Sequence, residues 1–289
     1  MNLLSISATF GRKKTSRPFK DYYNEWFNSL EKTLLPQLQN VMLTDPISPS
    51  QLSIHVTTMQ QHFQAYYNAL DVAASDDIAQ VLYPEWRNSL EKPFIWMGDL
   101  HPYLLTNLLR SFLDVEEEAE HYYLDTNEHD HNDDGGVKGD DGEGVIKIGK
   151  DSEFCVRPYE VAMAYRSPSK TLSTRVEQIE CGLRLMVPAL VVRARNVQAA
   201  FVERVGGEWE GGKRDEAKAV IGEAMVAEME ELAGVFLDAN RLRRSVFSDI
   251  LSVTNVYQAA VFLEGLAQFL VGFKNITLLR EFDKRKLAN

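Results

Sequence analysis

Over residues 170–201, apolar side chains return at Val176, Ile179, Leu183, Met186, Val187, Leu190, Val191, Val197 and Phe201, the three-and-four spacing that lines one side of a helix. A stripe that long is stable only against facing helices, so it constrains the whole chain to a packed helical architecture. Ser167-Pro168 supplies a cap and a first-turn proline, Pro188 predicts a kink, and Gly206-Gly207 predicts the end. A second long helix is expected from about Lys213, with Ile221, Met225, Met229, Leu232 and Phe236 on one face. Closing helices then hold Val246, Phe247, Ile250 and Leu251, followed by Val256 to Phe273. Upstream, Pro18 opens a helix through Phe19, Tyr22, Tyr23, Trp26, Phe27, Leu30 and Leu34, which Pro36 should kink or end. Ser48, Pro49 and Gln51 form a capping-box pattern for a helix through Phe63, Tyr66 and Leu70, with Asp76 and Asp77 capping a short turn after it. Ser89 to Gly98 reads as an apolar helical run ending at Trp96-Met97-Gly98, and Pro102 restarts a helix through Leu104, Leu105, Leu108, Leu109 and Phe112. Only Val145-Ile146-Lys147-Ile148 alternates like a strand, too briefly to build a sheet. The expected fold is all-α, a single bundle of long antiparallel helices.

Charge is concentrated in one place. The chain carries −11 overall, and residues 114–143 alone hold 13 acids against Lys138, so the remainder is near +1. With its glycines and no apolar period, the 114–150 segment cannot bury enough surface to offset its ordering entropy, and is expected to be a disordered insertion. This divides the chain into a basic and apolar tail over 1–17 and a helical domain over 18–289, interrupted by the insertion. Cys155 and Cys181 stand at neither zinc-site nor redox spacing, which fits a reducing compartment. Val253 to Phe273 is about membrane length but carries Gln258, Glu264 and Gln268, and reads as a buried core helix.

Catalytic motifs are absent from the sequence: it has no Gly-x-Ser-x-Gly turn, phosphate-cradling loop or Rossmann glycine fingerprint. No catalytic residue and no cofactor are assigned. His55 and His62 lie two turns apart on one helix, a spacing more typical of a helix surface or a core rim than of a metal site. Inside the insertion, Asp130, Asn132, Asp134 and Asp141 fall at calcium-loop positions around Gly135. Asp141 is short for a bidentate ligand, however, and Gly142-Glu143-Gly144 cannot start an exiting helix, so only weak calcium binding is expected. Arg12, Lys13, Lys14, Arg17 and Lys20, beside the apolar Leu3, Leu4, Ile6 and Phe10, are candidate contacts with an anionic membrane surface. Glu116, Glu117, Glu118, Asp133, Asp134, Asp140 and Asp141 are candidate contacts with a basic protein partner.

The block from Ser89 through Trp96-Met97-Gly98 to Leu109 resembles the central block of the plant Delay of Germination domain. Phe19-Lys20-Asp21-Tyr22-Tyr23-Asn24-Glu25-Trp26 resembles its opening helix, and His62-Phe63-Gln64-Ala65-Tyr66-Tyr67 with Asp71-Val72 its second. Ala239-Asn240-Arg241-Leu242-Arg243 and Tyr257 to Leu263 resemble its closing blocks. Within that family, Arg12 to Leu30 followed by Leu34-Leu35-Pro36, together with the acidic insertion, is most similar to the Inaperturate Pollen group. The resemblance implies a non-enzymatic factor, cytoplasmic and peripheral to the plasma membrane at discrete domains where exine is withheld. Its partners would be proteins at that membrane, anionic lipid and a second copy of itself. Other members regulate protein phosphatases or transcription complexes, which is the alternative. The leucine-zipper members carry a basic region ahead of the domain, but here the domain begins near Phe19, so direct nucleic-acid binding is not expected. Haem-associated members use histidines in their later half, whereas this chain has none after His131, so haem is not expected. Asp99, Leu100 and His101 depart from the family's usual central block.

Overall fold

The structure, a computed structural model, describes residues 17–113, 157–166, 168–209 and 214–287. Pro36 does not end the first helix. α1 (Phe19–Ser29) passes through one π-helical turn (Leu30–Leu34) into α2 (Leu35–Met42), whose first turn holds Pro36. In the wide turn the Leu35 N–H reaches back to the Leu30 carbonyl. That shifts the hydrogen-bond register just where proline has no N–H to give, so the helix continues. α3 (Pro49–Asp76) begins at Ser48, whose hydroxyl accepts from the Gln51 N–H at 3.4 Å. Asp77 Oδ1 then accepts from the Ala79 N–H at 3.1 Å and starts the short α4 (Ala79–Leu82).

The segment around Trp96 is not helical. Lys92–Phe94 forms a single 3₁₀ turn, and then β1 (Ile95–Trp96) pairs antiparallel with β2 (Asp99–Leu100), Trp96 opposite Asp99. Met97 and Gly98 close this hairpin with φ of 45° and 79°, both left-handed, the pattern of a type I′ turn. Apolar residues at helical spacing suggested a helix here. Pro93, the β-branched Ile95 and Gly98 leave too few uninterrupted residues to propagate one. α5 follows over 103–113, as Pro102 predicts.

Beyond the short α6 (Tyr159–Ala162), the hydroxyl of Ser169 caps α7 (Lys170–Trp209) by accepting from the Leu172 N–H at 3.1 Å. The cap therefore lies two residues past the expected Ser167, which falls outside the described residues. α7 continues through Pro188 and through Gly206-Gly207. Pro188 sits on the exposed side, where the carbonyl it orphans faces water, and a glycine costs a propagating helix only about 1 kcal/mol. α8 (Arg214–Val253) is likewise unbroken, joining two segments that the sequence suggested were separate. α9 (Val256–Gly272) opens with a reciprocal capping box, the Asn255 and Gln258 side chains each accepting the other's backbone N–H at 2.9 and 3.0 Å. α10 (Ile276–Leu287) ends the described chain.

One hydrophobic cluster unites elements from both sides of the acidic segment, including Phe27, Leu38, Leu52, Phe63 and Leu109 with Val176, Leu183, Phe236, Phe247 and Phe262. α9 is the central helix. Its buried Glu264 is matched by Arg157 at 3.0 Å and Gln39 at 3.1 Å. α7 and α8, each 40 residues long and so about 60 Å, outrun α3, which at 28 residues is about 42 Å. Met186, Val191, Met225 and Met229, expected on buried stripes, are exposed, and Met186 and Val191 stand to either side of the buried line of Leu183, Val187 and Leu190. The candidate calcium loop, the strand-like 145–148 run and the acidic partner residues lie outside the described residues.

Trp26 is a core anchor. Its indole N–H donates to the His62 carbonyl at 2.9 Å, and His62 Nε2 meets the Trp26 carbonyl at 3.0 Å while the two rings stack 5.0 Å apart. Trp96, by contrast, is only half-buried on the hairpin. Trp26→Ala is therefore expected to cost about 3–5 kcal/mol in urea unfolding and Trp96→Ala clearly less. Equal losses would contradict this difference in burial.

Candidate functional site

The loop between α4 and the 3₁₀ turn carries Arg87 into the body, and the hairpin carries Asp99 to meet it. The Arg87 guanidinium donates to Asp99 Oδ1 at 2.8 Å, to the Tyr66 hydroxyl at 2.7 Å and to the Tyr23 hydroxyl at 3.1 Å. Tyr66 in turn donates to Asp99 at 2.8 Å and Tyr23 to Glu91 at 2.9 Å, with Glu91 itself 3.8 Å from Arg87. Asn88 fixes the loop, its side-chain oxygen accepting from the Leu90 and Glu91 N–H groups at 2.9 and 3.0 Å. Arg87, Glu91 and Asp99 are all buried. Burial pushes the Tyr23 and Tyr66 hydroxyls up, so both stay protonated and available to donate. Burial also opposes the charge on Arg87, but the surrounding oxygens of Tyr66, Tyr23, Asp99 and Glu91 outweigh it and raise its pKa.

A second buried arginine approaches from α8. Arg243 donates through Nε to the Leu100 carbonyl at 2.8 Å and through Nη2 to the carbonyls of Trp96, of Met97 at 3.0 Å and of Asp99 at 3.4 Å. One guanidinium thus gathers the carbonyls of the hairpin, including that of Met97 in its left-handed conformation. Burial lowers the pKa of Arg243, and the Asp99 carboxylate offsets part of that cost. Gly98 is indispensable here: besides its positive φ, a Cβ would lie 2.3 Å from the Val81 carbonyl and 2.6 Å from Phe236. Asn240, one turn before Arg243, donates to the Tyr67 carbonyl at 2.8 Å and to Asp71 at 2.6 Å, extending the tie to α3.

Chemically, the arrangement is closed. Two buried cations and two buried carboxylates balance. The cavity between Arg87, Asp99 and Arg243 measures only about 30 Å³, the volume of one water. Arg87 Nε and Arg243 Nη1 beside it, and Asn240 Oδ1 one turn away on α8, are buried without a hydrogen bond among the described residues. Outside the hairpin lies an open groove of about 510 Å³, where Tyr83, Ile95 and Met97 mix with Glu85 and Lys92. Among the described residues, no group of three or more His, Cys, Asp or Glu side chains is placed to hold a metal ion.

Of the candidate membrane contacts, Arg12, Lys13 and Lys14 lie outside the described residues, as do all the calcium-loop and acidic partner candidates. Arg17 forks onto Glu25, one of the two bonds measuring 2.6 Å, and Lys20 is exposed. His62 is the core-rim residue its spacing suggests, and it is not brought together with His55 into a metal site. Arg87 and Arg243 were not singled out from sequence. The available signal was Arg243 standing in line with Phe236, Ala239, Val246, Phe247 and Ile250 on the buried stripe of α8, where a charge must have a partner.

A family model described as DOG1, seed dormancy control, matches residues 34–111, which include the Arg87 loop and the hairpin. The chain is 42% identical over 97% of its length to Protein INAPERTURATE POLLEN1 of Arabidopsis thaliana, covering 98% of that protein. It is 31% identical over 95% of its length to the Oryza sativa protein named as a homolog of INAPERTURATE POLLEN 1, covering 92% of it. Protein DOG1-like 1 of Arabidopsis thaliana matches at 22% over 92% of this chain and 89% of that one.

Burial holds His62 and His101 below the usual value of 6.5, the first against Trp26 and the second near Arg243. Below that pH the unfolded chain binds more protons than the folded one, so stability falls as pH drops through 6.5 and levels off beneath the lowered native values. Urea midpoints measured from about pH 7.5 to about pH 5 should decline, and the decline should be shallower in His62→Gln. An identical slope in that variant would remove His62 from the account.

Proposed function

The chain belongs to the Inaperturate Pollen family, and on that premise we propose that it is a pollen aperture factor. In this proposal it is a non-enzymatic interaction protein, peripheral to the plasma membrane of the developing microspore, marking the domains where exine is not deposited. The observation that carries the proposal is the full-length likeness to Protein INAPERTURATE POLLEN1. The site geometry supports a binding role over a catalytic one: the charges of the central block are spent on one another and on the hairpin backbone, so the solvent-facing helices are left to make contacts. Recruitment would combine an anionic membrane surface with a protein partner, the basic residues around Lys20 meeting the first and the acidic insertion the second.

Loss of the gene in its own species should give pollen without apertures, and a fluorescent fusion should gather at discrete membrane domains in tetrad-stage microspores. Normal apertures after complete loss would refute the proposal. A uniform cytoplasmic or nuclear signal would favour the regulation of phosphatases or transcription complexes instead.

A further inference from the structure

The outer half of α7 presents an apolar face that none of the described residues covers. Leu185, Val192 and Val202 are 70%, 52% and 66% exposed. With Pro188 and Ala199 they recur at alternating spacings of three, four, seven and three residues, opposite the side where Leu183, Val187 and Leu190 are buried. The stripe from Leu185 to Val202 is about 25 Å long. Its charge is as unusual as its exposure, because in a chain of −11 there is no acid between Glu180 and Glu203. Over the same stretch stand Arg184, Arg193 and Arg195, with Arg204 just beyond. Arg193 is engaged by Asp238 on α8. Arg184 lies near enough to Glu180 to lower its pKa, after the larger effect of Arg110, but neither Arg184, Arg195 nor Arg204 is ion-paired among the described residues. On the partner helix the sign reverses: over 218–232, exposed Glu223, Glu230 and Glu231 join Glu228 against Lys218. The pair of helices therefore has one basic and apolar side and one acidic side.

We propose that the outward face of α7, from Leu185 to Val202 with Arg184 and Arg195 along its flank, lies on an anionic membrane surface. This rests on the peripheral plasma-membrane placement proposed above and names the face that makes the contact. An apolar stripe flanked by arginines gains from both acyl-chain burial and attraction to acidic headgroups. The acidic side of α8 is directed away, which lets a strongly negative chain approach such a surface in this one orientation. Glu203 closes the stripe at its outer end. A second copy is a poor occupant, because pairing two such stripes brings four arginines to a seam with Glu203 as the one acid each contributes. By length and composition α7 could also cross a membrane. Its inner face is packed against α8 and the core, so it lies along the surface rather than through it.

The test uses the full chain with vesicles of phosphatidylcholine alone or with phosphatidylserine. Arg184→Gln/Arg195→Gln should lose roughly fivefold in partition for each arginine, on the order of 25-fold together. Leu185→Gln/Val192→Gln/Val202→Gln should also lose binding, and both variants should keep the wild-type melting curve because these side chains are exposed. A direct readout needs no change to the stripe. Cys181 is free and exposed on the same face, so an environment-sensitive dye there, in a Cys155→Ser chain, should shift to the blue when phosphatidylserine vesicles are added. A silent dye on a chain that still binds, or undiminished binding by the arginine variant, would overturn the proposal. If that variant still binds vesicles yet mislocalises in the microspore, the face belongs to a protein partner. If instead vesicle binding disappears when Arg12, Lys13, Lys14, Arg17 and Lys20 become Gln and survives the α7 changes, this inference fails while the aperture proposal stands. Absence of membrane domains in the microspore would sink the aperture proposal separately.

Discussion

The grip of Arg243 on the carbonyls of Trp96, Met97, Asp99 and Leu100 is the constraint on which the arrangement of the bundle turns. A short hairpin has little stability of its own, and this one also holds Met97 at positive φ, an unfavourable conformation for a residue with a Cβ. The planar fork of a guanidinium can satisfy several acceptors at fixed angles, which an ammonium cannot. Because Arg243 belongs to α8 and the hairpin lies ahead of the acidic segment, the contact fastens the later helices to the earlier ones. Asp99 then links this arginine to Arg87, and through it to Tyr66 of α3 and Tyr23 of α1. Four elements meet at one charge-balanced point. Its worth is as a joint, since buried ion pairs add little stability over apolar packing but are costly to break one partner at a time.

A body locked in this way leaves recognition to its periphery. Inside the central block there is room for about one water, and an open groove reaches Arg87, Met97 and Gly98 from outside, while the long α7/α8 pair extends past α3 with opposite charge on its two sides. That division suits a factor whose task is to be positioned. The core sets the shape, and the exposed faces of the described helices can vary without disturbing it.

Much of this was legible in the sequence, and the exceptions have identifiable causes. Sustained apolar spacing located α1, α3, α7, α8 and α9, because a periodic stripe over many turns has few other solutions. Ser48-Pro49 marked the start of α3 for a local reason, its hydroxyl capping a backbone N–H three residues on. The hairpin was misread because its apolar residues fit a helix over a stretch too short to discriminate. What decides its form is tertiary: the Val81 carbonyl and Phe236 crowding Gly98, and Arg243 reaching in from 143 residues or more away. Helix ends expected at Pro36 or at Gly206-Gly207 did not occur, since a π-turn and helix propagation absorbed them, and α7 likewise runs on through the kink position Pro188. Arg87 and Arg243 escaped notice because a single arginine in an apolar stripe announces a buried charge without saying where its partner lies. The surface candidates from the sequence fell almost wholly outside the described residues, and the α7 face emerged only once exposure separated its two sides.

The account stands or falls on whether the two buried arginines act as one joint through Asp99 and the hairpin. A double-mutant cycle of Arg87→Met and Arg243→Met, read by urea unfolding, measures this directly. Because each substitution loosens the block that the other arginine needs, the combined loss should fall short of the sum by about 1–3 kcal/mol. Losses that add to within a few tenths of a kcal/mol would mean that Arg87 and Arg243 stabilise separate parts of the fold, and that no common joint holds the bundle together.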